Sequence, residues 1–236
     1  MFRGNYRLPL LLIAIGSSIN LYVCRADKID PPKGAVLLLE NSRNHFTQVW
    51  TSKDGGASNW KCKGGVFTAS GDDIVTKEKY TDCQLHVEFK VPYLPSRKGQ
   101  GRGNSGVKLQ GRYEVQILDS YGKETPDKGD CGGIYDQVPP LVNACKPPKE
   151  WQTYDITFRA PRVGADGRIT EPARVTVIQN GLVVQNNTSI AGPTGDHPYD
   201  REVDKPGPLL LQFHGSAVEF RNVWIMPLPL DGAKHY

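Results

Sequence analysis

The stretch GNSGVKLQGRYEVQILDS, residues 103–120, decides how the chain is read. Val107 and Leu109, then Tyr113, Val115 and Ile117, fall on every second position, the period of a half-buried β-strand. The two runs meet at Gly111-Arg112, so two strands around a tight turn are predicted. The remaining positions hold Gln110, Glu114 and Gln116, with Asn104 before the first run and Asp119 after the second. Such a concentration of amides and carboxylates is either a solvated sheet face or the floor of a binding site.

The same period recurs along the chain. Residues 84–91 alternate with Leu85, Val87, Phe89 and Val91 inward, and residues 151–159 with Tyr154, Ile156 and Phe158 on one side. Residues 173–178 and 182–185 flank Asn180-Gly181, a strong hairpin signal. Residues 209–213 and 218–226 flank His214-Gly215-Ser216. With 25 Gly and 18 Pro breaking the chain into short elements, no helical pattern runs beyond a few residues. The expectation is an all-β protein, a two-sheet antiparallel jelly-roll sandwich rather than the smaller immunoglobulin type. Without a linker to separate two units, one domain is expected. Residues 192–207, with Pro193, Pro198 and Pro206, read as a long surface loop.

Residues 1–26 read as a secretory leader: Arg3 and Arg7, an apolar run from Leu8 to Ile15, small residues at 16–18, and Ala26 before Asp27. The run is shorter than the ~20 residues a spanning helix needs. An exported protein, periplasmic or extracellular, is therefore expected, with a single domain over 27–236 and its core at about 37–228. The full chain has 29 basic and 25 acidic residues, but the leader holds Arg3, Arg7 and Arg25 and no acid. The remainder is close to neutral, which argues against nucleic acid or an anionic membrane as a partner.

Four cysteines remain after the leader: Cys62, Cys83, Cys131 and Cys145. An even count in an exported chain suits two disulfides, and the pairing expected is Cys131–Cys145 and Cys62–Cys83. Zinc-type spacing, two cysteines two residues apart, is missing, and so are H-E-x-x-H, G-x-S-x-G and phosphate-loop motifs; no G-x-G-x-x-G run opens a helix, so there is no dinucleotide fingerprint. No cofactor or resident metal is expected, although Asp127, Asp130 and Asp136 leave a loop calcium open.

The second faces of the predicted strands carry His86 and Glu88, then Asn104, Gln110, Glu114 and Gln116, then Gln212, His214, Glu219 and Arg221. Planar donor–acceptor groups of this kind match sugar hydroxyls. Trp60, Trp151, Tyr113 and Tyr135 would supply rings to stack on a pyranose. A carbohydrate is the ligand these residues point to.

Several motifs resemble one family: residues 73–80, Asn104-Ser-Gly, residues 110–120, Cys131-Gly-Gly-Ile-Tyr135, residues 151–155, Gln212-Phe-His-Gly215 and residues 220–224. In order and content they are similar to the 3-keto-disaccharide hydrolases, exported bacterial proteins, over about residues 37–228. The resemblance implies a concanavalin-like jelly roll and cleavage of glycosides first oxidised at C3, which in turn implies an upstream sugar 3-oxidoreductase. A C3 ketone acidifies the C2 proton, so a base can remove it and the C1 substituent leaves by elimination; water added later gives net hydrolysis. Ordinary glycosidases on similar jelly rolls carry Glu-x-Asp-x-Glu, whereas Glu114-Val-Gln116 places an amide at the central carboxylate.

The roles expected are these: Glu114 or His214 as base, with the other or Asp119 as acid. Gln110, Gln116 and Arg221 would hold hydroxyls and the C3 oxygen, with Asn104, Gln212 and His86 completing the substrate-binding set. A non-catalytic carbohydrate-binding module is the alternative. Two positions depart from the family pattern: Phe213 stands where Asp often precedes the histidine, and Lys108 where an apolar or aromatic residue is usual.

Overall fold

A computed structural model describes residues 30–195 and 197–230. The expected leader, residues 1–26, lies outside the described residues. Strand β1 (Val36–Leu37) precedes helix α1 (Arg43–Val49), β2 (Trp50–Ser52), β3 (Lys61–Lys63), β4 (Val66–Thr68), β5 (Ile74–Tyr80) and β6 (Cys83–Lys90). A 3-10 turn at Gly99–Gly101 leads to β7 (Ser105–Leu109) and β8 (Tyr113–Ile117). Then follow β9 (Gln152–Arg159), β10 (Arg162–Val163), β11 (Ile169–Glu171), β12 (Ala173–Gln179), β13 (Leu182–Ile190), β14 (Gly207–Leu211) and β15 (Glu219–Pro227). Helix α1 was not expected: its seven residues bury only Phe46, too few to show a period, and its start is fixed by the Ser42 hydroxyl accepting the His45 N–H.

Apart from β10 and β11, which pair only with each other, the strands form two antiparallel sheets of a jelly roll. The larger runs β13-β12-β9-β6-β15-β4-β3, with β1 paired to β15, and the smaller runs β2-β5-β14-β7-β8. Leu85, Val87 and Phe89 of β6, Tyr154, Ile156 and Phe158 of β9, and Val107, Leu109, Val115 and Ile117 of the β7–β8 pair are all buried in one core. Each such side chain contributes ~1.5–3 kcal/mol on burial, so the inward set predicted from the alternation is what holds the sheets together.

Two turns set the facing of the polar residues. The β7–β8 turn spans residues 110–112, between Leu109 and its partner Tyr113, and so contains the predicted Gly111-Arg112; Gln110 and Gly111 have φ of 53° and 66°, the left-handed region used in tight turns. In β15 the register to β6 shifts between Arg221 and Trp224, and Asn222 has φ 46°. This bulge keeps Phe220, Val223 and Ile225 in the core.

The expected disulfides do not form; all four cysteines are free. Cys62 and Cys83 lie on β3 and β6, and β4 and β15 run between those strands, so no bridge can reach. The Cys131 and Cys145 thiols are buried neighbours, but each has other partners. Cys131 Sγ contacts the Tyr154 hydroxyl at 3.1 Å, and Cys145 Sγ the Leu118 carbonyl at 3.5 Å. Cys131 and burial push the Cys145 thiol well up, and burial together with Asp82 pushes Cys83 up to about 12. The Cys145 and Cys83 thiols stay protonated at neutral pH.

Candidate active site

The face of the smaller sheet turned away from the core carries a cavity of about 330 Å³. Its floor comes from β7 and β8, where Lys108 pairs with Glu114 and Gly106 with Gln116. Because successive strand residues alternate faces, Val107, Val115 and Ile117 in the core oblige Lys108, Glu114 and Gln116 to face the cavity. Lys108 Nζ lies 3.1 Å from Glu114 Oε2, and both side chains are buried. On its other side Lys108 is paired with Leu210 of β14, which is also buried, so the lysine stem runs beside apolar surface while its ammonium meets the carboxylate.

Glu114 is held closely. A Cβ on Gly106 would lie 2.2 Å from Glu114 Oε1, so only glycine leaves room for the carboxylate across the strand pair. Burial raises the Glu114 carboxyl above its ordinary value of 4.5; Asp73 adds to the rise, while Lys108 and His214 oppose it. The backbone is anchored as well: the Glu114 N–H donates to Thr194 Oγ1 at 2.9 Å and its carbonyl accepts from the Tyr135 N–H at 3.1 Å. The Gly132–Tyr135 segment thus covers the edge of β8 and brings Tyr135 and Asp136 to the cavity wall.

The amides form a connected set. Gln100, on the 3-10 turn, accepts at Oε1 from Asn104 Nδ2 (3.0 Å) and Gln116 Nε2 (2.8 Å), and donates to the Gly129 carbonyl (2.8 Å). Gln212 joins the rim: its N–H donates to the Gly106 carbonyl and its carbonyl accepts from the Ser105 hydroxyl. Its side-chain Oε1 is buried without a hydrogen-bond partner and is available to a ligand. His214 is exposed at the cavity edge, after Phe213, whose N–H donates to Asp73 Oδ1 at 2.8 Å. The position expected to hold an orienting Asp therefore has its backbone fixed by an aspartate from just before β5.

The long loop also contributes, with Gly195 and His197 on the wall. Several contacts tie it down. Thr194 N–H donates to the Arg112 carbonyl, Tyr199 N–H to the Gly111 carbonyl, and Arg112 Nε to Asp200 Oδ1 at 2.5 Å. Arg112 is fully buried and also donates to the Lys205 carbonyl.

Of the predicted site residues, Asn104, Glu114, Gln116, Gln212 and His214 converge on this cavity. Four do not. Gln110 is a turn residue whose Nε2 donates to the Tyr80 carbonyl. Asp119 lies past the end of β8, accepts from Arg102 at 2.7 Å and lines a separate cavity. His86 and Arg221 lie on the larger sheet, on the face opposite Leu85 and Phe220. There His86 Nδ1 is 2.7 Å from Asp155 Oδ1, its ring stacks on Trp224, and Arg221 Nε donates to Glu88 Oε2 at 2.6 Å while stacking on Trp151. Among the expected stacking rings only Tyr135 lines the cavity; Trp60 and Tyr113 are core residues. For the loop carboxylates considered for calcium, Asp130 accepts from Lys123 and the Asp127 N–H, and Asp136 pairs with Lys128. No group of three or more metal-ligating side chains occurs among the described residues.

Lys108 and His197 were not predicted as site residues, and Asp136 was considered only as a calcium ligand. The departure at Lys108 was itself the available signal; His197 sits in a loop without a period and gave none.

A two-sheet jelly roll with a polar, carboxylate-floored cavity on its smaller sheet has the build of a carbohydrate-active enzyme. The chain belongs to the family of the 3-keto-alpha-glucoside-1,2-lyase-like domain, whose model matches residues 36–226. It is 43% identical to a Parabacteroides distasonis protein provisionally described as a glycosyl hydrolase, with a TM-score of 0.76 over 84% of this chain and 85% of that one. Two other proteins of that organism, described in the same way, share the fold at 24% identity. Their TM-scores are 0.59, over 83% of this chain and 94% of the other, and 0.52, over 76% and 99%. No curated protein matches the chain.

Proposed function

We propose that the protein cleaves glycosides carrying a ketone at C3, by removing the C2 proton and expelling the C1 substituent. The observation that carries this reading is the Glu114 setting: one buried carboxylate on the cavity floor, an amide at Gln116 beside it, and a buried ammonium opposite. Asp136, the other carboxylate on the wall, is exposed and paired with Lys128. Such a floor suits one strong base better than a carboxylate pair.

In the proposed reaction the C2–H bond breaks and its proton passes to Glu114. The electron pair becomes the enolate on the C3 oxygen, with Lys108 as the nearby positive charge that stabilises it. Collapse of the enolate breaks the C1–O bond, and the leaving oxygen takes a proton from His214. The products are an unsaturated ketone and an alcohol; addition of water to the former gives net hydrolysis. Asn104 and Gln212 hold hydroxyls, and Gln116 positions the floor through Gln100. The substrate requires prior oxidation at C3, so a sugar 3-oxidoreductase acts upstream, and the leader-like residues 1–26 support export.

The test is incubation with a 3-keto-disaccharide in deuterated water. Release of the C1 substituent together with the unsaturated ketone, or with its hydrated sugar carrying deuterium at C2, all lost in Glu114→Gln, supports the reading. Binding without turnover, unchanged by that substitution, identifies a carbohydrate-binding module instead. Cleavage of the unoxidised disaccharide points to conventional hydrolysis.

A further inference from the structure

His214 borders two cavities. Besides the one over Glu114, it lines a second of about 470 Å³ with Leu94, Arg97, Gln100 and Ser216. Both volumes fall in the range of small-molecule sites. The second cavity is built from the segment between β6 and β7 and from the turn before β15. It is joined to the first by Gln100, which lines the second cavity while its Oε1 accepts from Asn104 and Gln116 of the first.

We infer that the second cavity is the leaving-group subsite, and that it takes a hydroxylated aglycone, a second sugar unit, with Arg97 as its selecting residue. The inference rests on the role of Glu114 and His214 proposed above. A ring whose C2 lies over Glu114 has its C1–O bond one atom further on. His214 is the wall shared by both cavities, so a substituent leaving past it enters the second. That position also places the imidazole beside the oxygen that needs a proton. The lining matches a sugar: Leu94 offers an apolar side chain for a ring face, while Gln100, Ser216 and the Arg97 guanidinium offer polar groups for hydroxyls. Arg97 is exposed, and its stem packs 3.8 Å from where a Cβ on Gly101 would lie, which aligns it along the 3-10 turn.

The experiment compares two substrates, a 3-keto-disaccharide and the corresponding methyl 3-keto-glycoside, on wild type, Arg97→Ala and Leu94→Trp. Both variants are expected to lose about tenfold or more in kcat/KM on the disaccharide, with the methyl glycoside changed less than about twofold. Equal losses on both substrates, or no loss on either, overturn the inference. If wild type turns over neither substrate, the proposed reaction fails, and the subsite is then read by calorimetry with the unoxidised disaccharide. Binding weakened by Arg97→Ala and Leu94→Trp supports it; absent or unchanged binding overturns it.

Discussion

Lys108 and Glu114 face each other directly across the β7–β8 pair, ammonium to carboxylate at 3.1 Å, with both side chains buried. Breaking a buried pair by removing one partner typically costs ~3–5 kcal/mol, because the other charge is left uncompensated. A protein has reason to keep such a pair where the charges act on something, and here both face the cavity.

Glu114→Gln keeps the shape of the side chain and removes the base. The expected result is a fall in kcat of ~10²–10⁴-fold, the usual range for a general base, with the fold retained by circular dichroism. Retention of full activity in this variant would remove Glu114 from the mechanism.

The pH profile follows from burial of the same group. Its carboxyl lies above 4.5, and the base acts ionised, so kcat/KM is expected to rise with pH through that raised value. Lys108→Met removes the closest opposing charge. The acid limb should then move to higher pH by about one unit or more, since an adjacent opposite charge is worth ~1–3 units. A limb that stays in place would show that Glu114 is not the group titrating.

Asp200 holds Arg112, and through it the loop that carries His197. Burial acts against ionisation of Asp200, but hydrogen bonds from Arg112 and the Glu202 N–H outweigh it and lower its carboxyl below 3.8. The clasp is therefore intact above 3.8 and lost as pH falls through the depressed value. Asp200→Asn should raise KM about fivefold or more with a smaller change in kcat, and should speed proteolysis within residues 192–206. Unchanged KM and cleavage rate would show that the loop is held without it.

His86 belongs to the fold. Burial lowers its affinity for a proton, but Asp155 and Glu88 outweigh that and raise it above 6.5. Its contribution is complete below 6.5 and lost as pH rises through the raised value. Glu88 is the reverse case. Burial disfavours its charge, yet hydrogen bonds with His86, Asn222 and Arg221 bring it from 4.5 down to about 2, so its contribution holds above 4.5 and fades towards pH 2. His86→Gln should lower Tm by ~2–8 °C, the scale of 1–2 kcal/mol in a chain of this size, while kcat/KM stays unchanged. A large loss of activity at unchanged Tm would place His86 in catalysis.

The sequence by itself determined the sandwich, because alternation fixes which residues of each strand share a face. Leu85, Val87 and Phe89, like Val107, Val115 and Ile117, are buried where the period put them. It also singled out the Asn180-Gly181 turn, with φ of 51° and 84°, and Glu114 as a mid-strand charge on the second face. Alternation does not say which sheet a strand joins or which side of that sheet is covered. Only the tertiary structure decided that His86 and Arg221 lie on one sheet and Glu114 and Gln116 on the other. Strand order separated Cys62 from Cys83, and a left-handed backbone at Gln110 turned its side chain to Tyr80. The same long-range packing brought Lys108 onto Glu114, and His197 into the wall from a loop with no periodic signal. Contacts of that kind depend on how distant strands are ordered and covered, which no local pattern encodes.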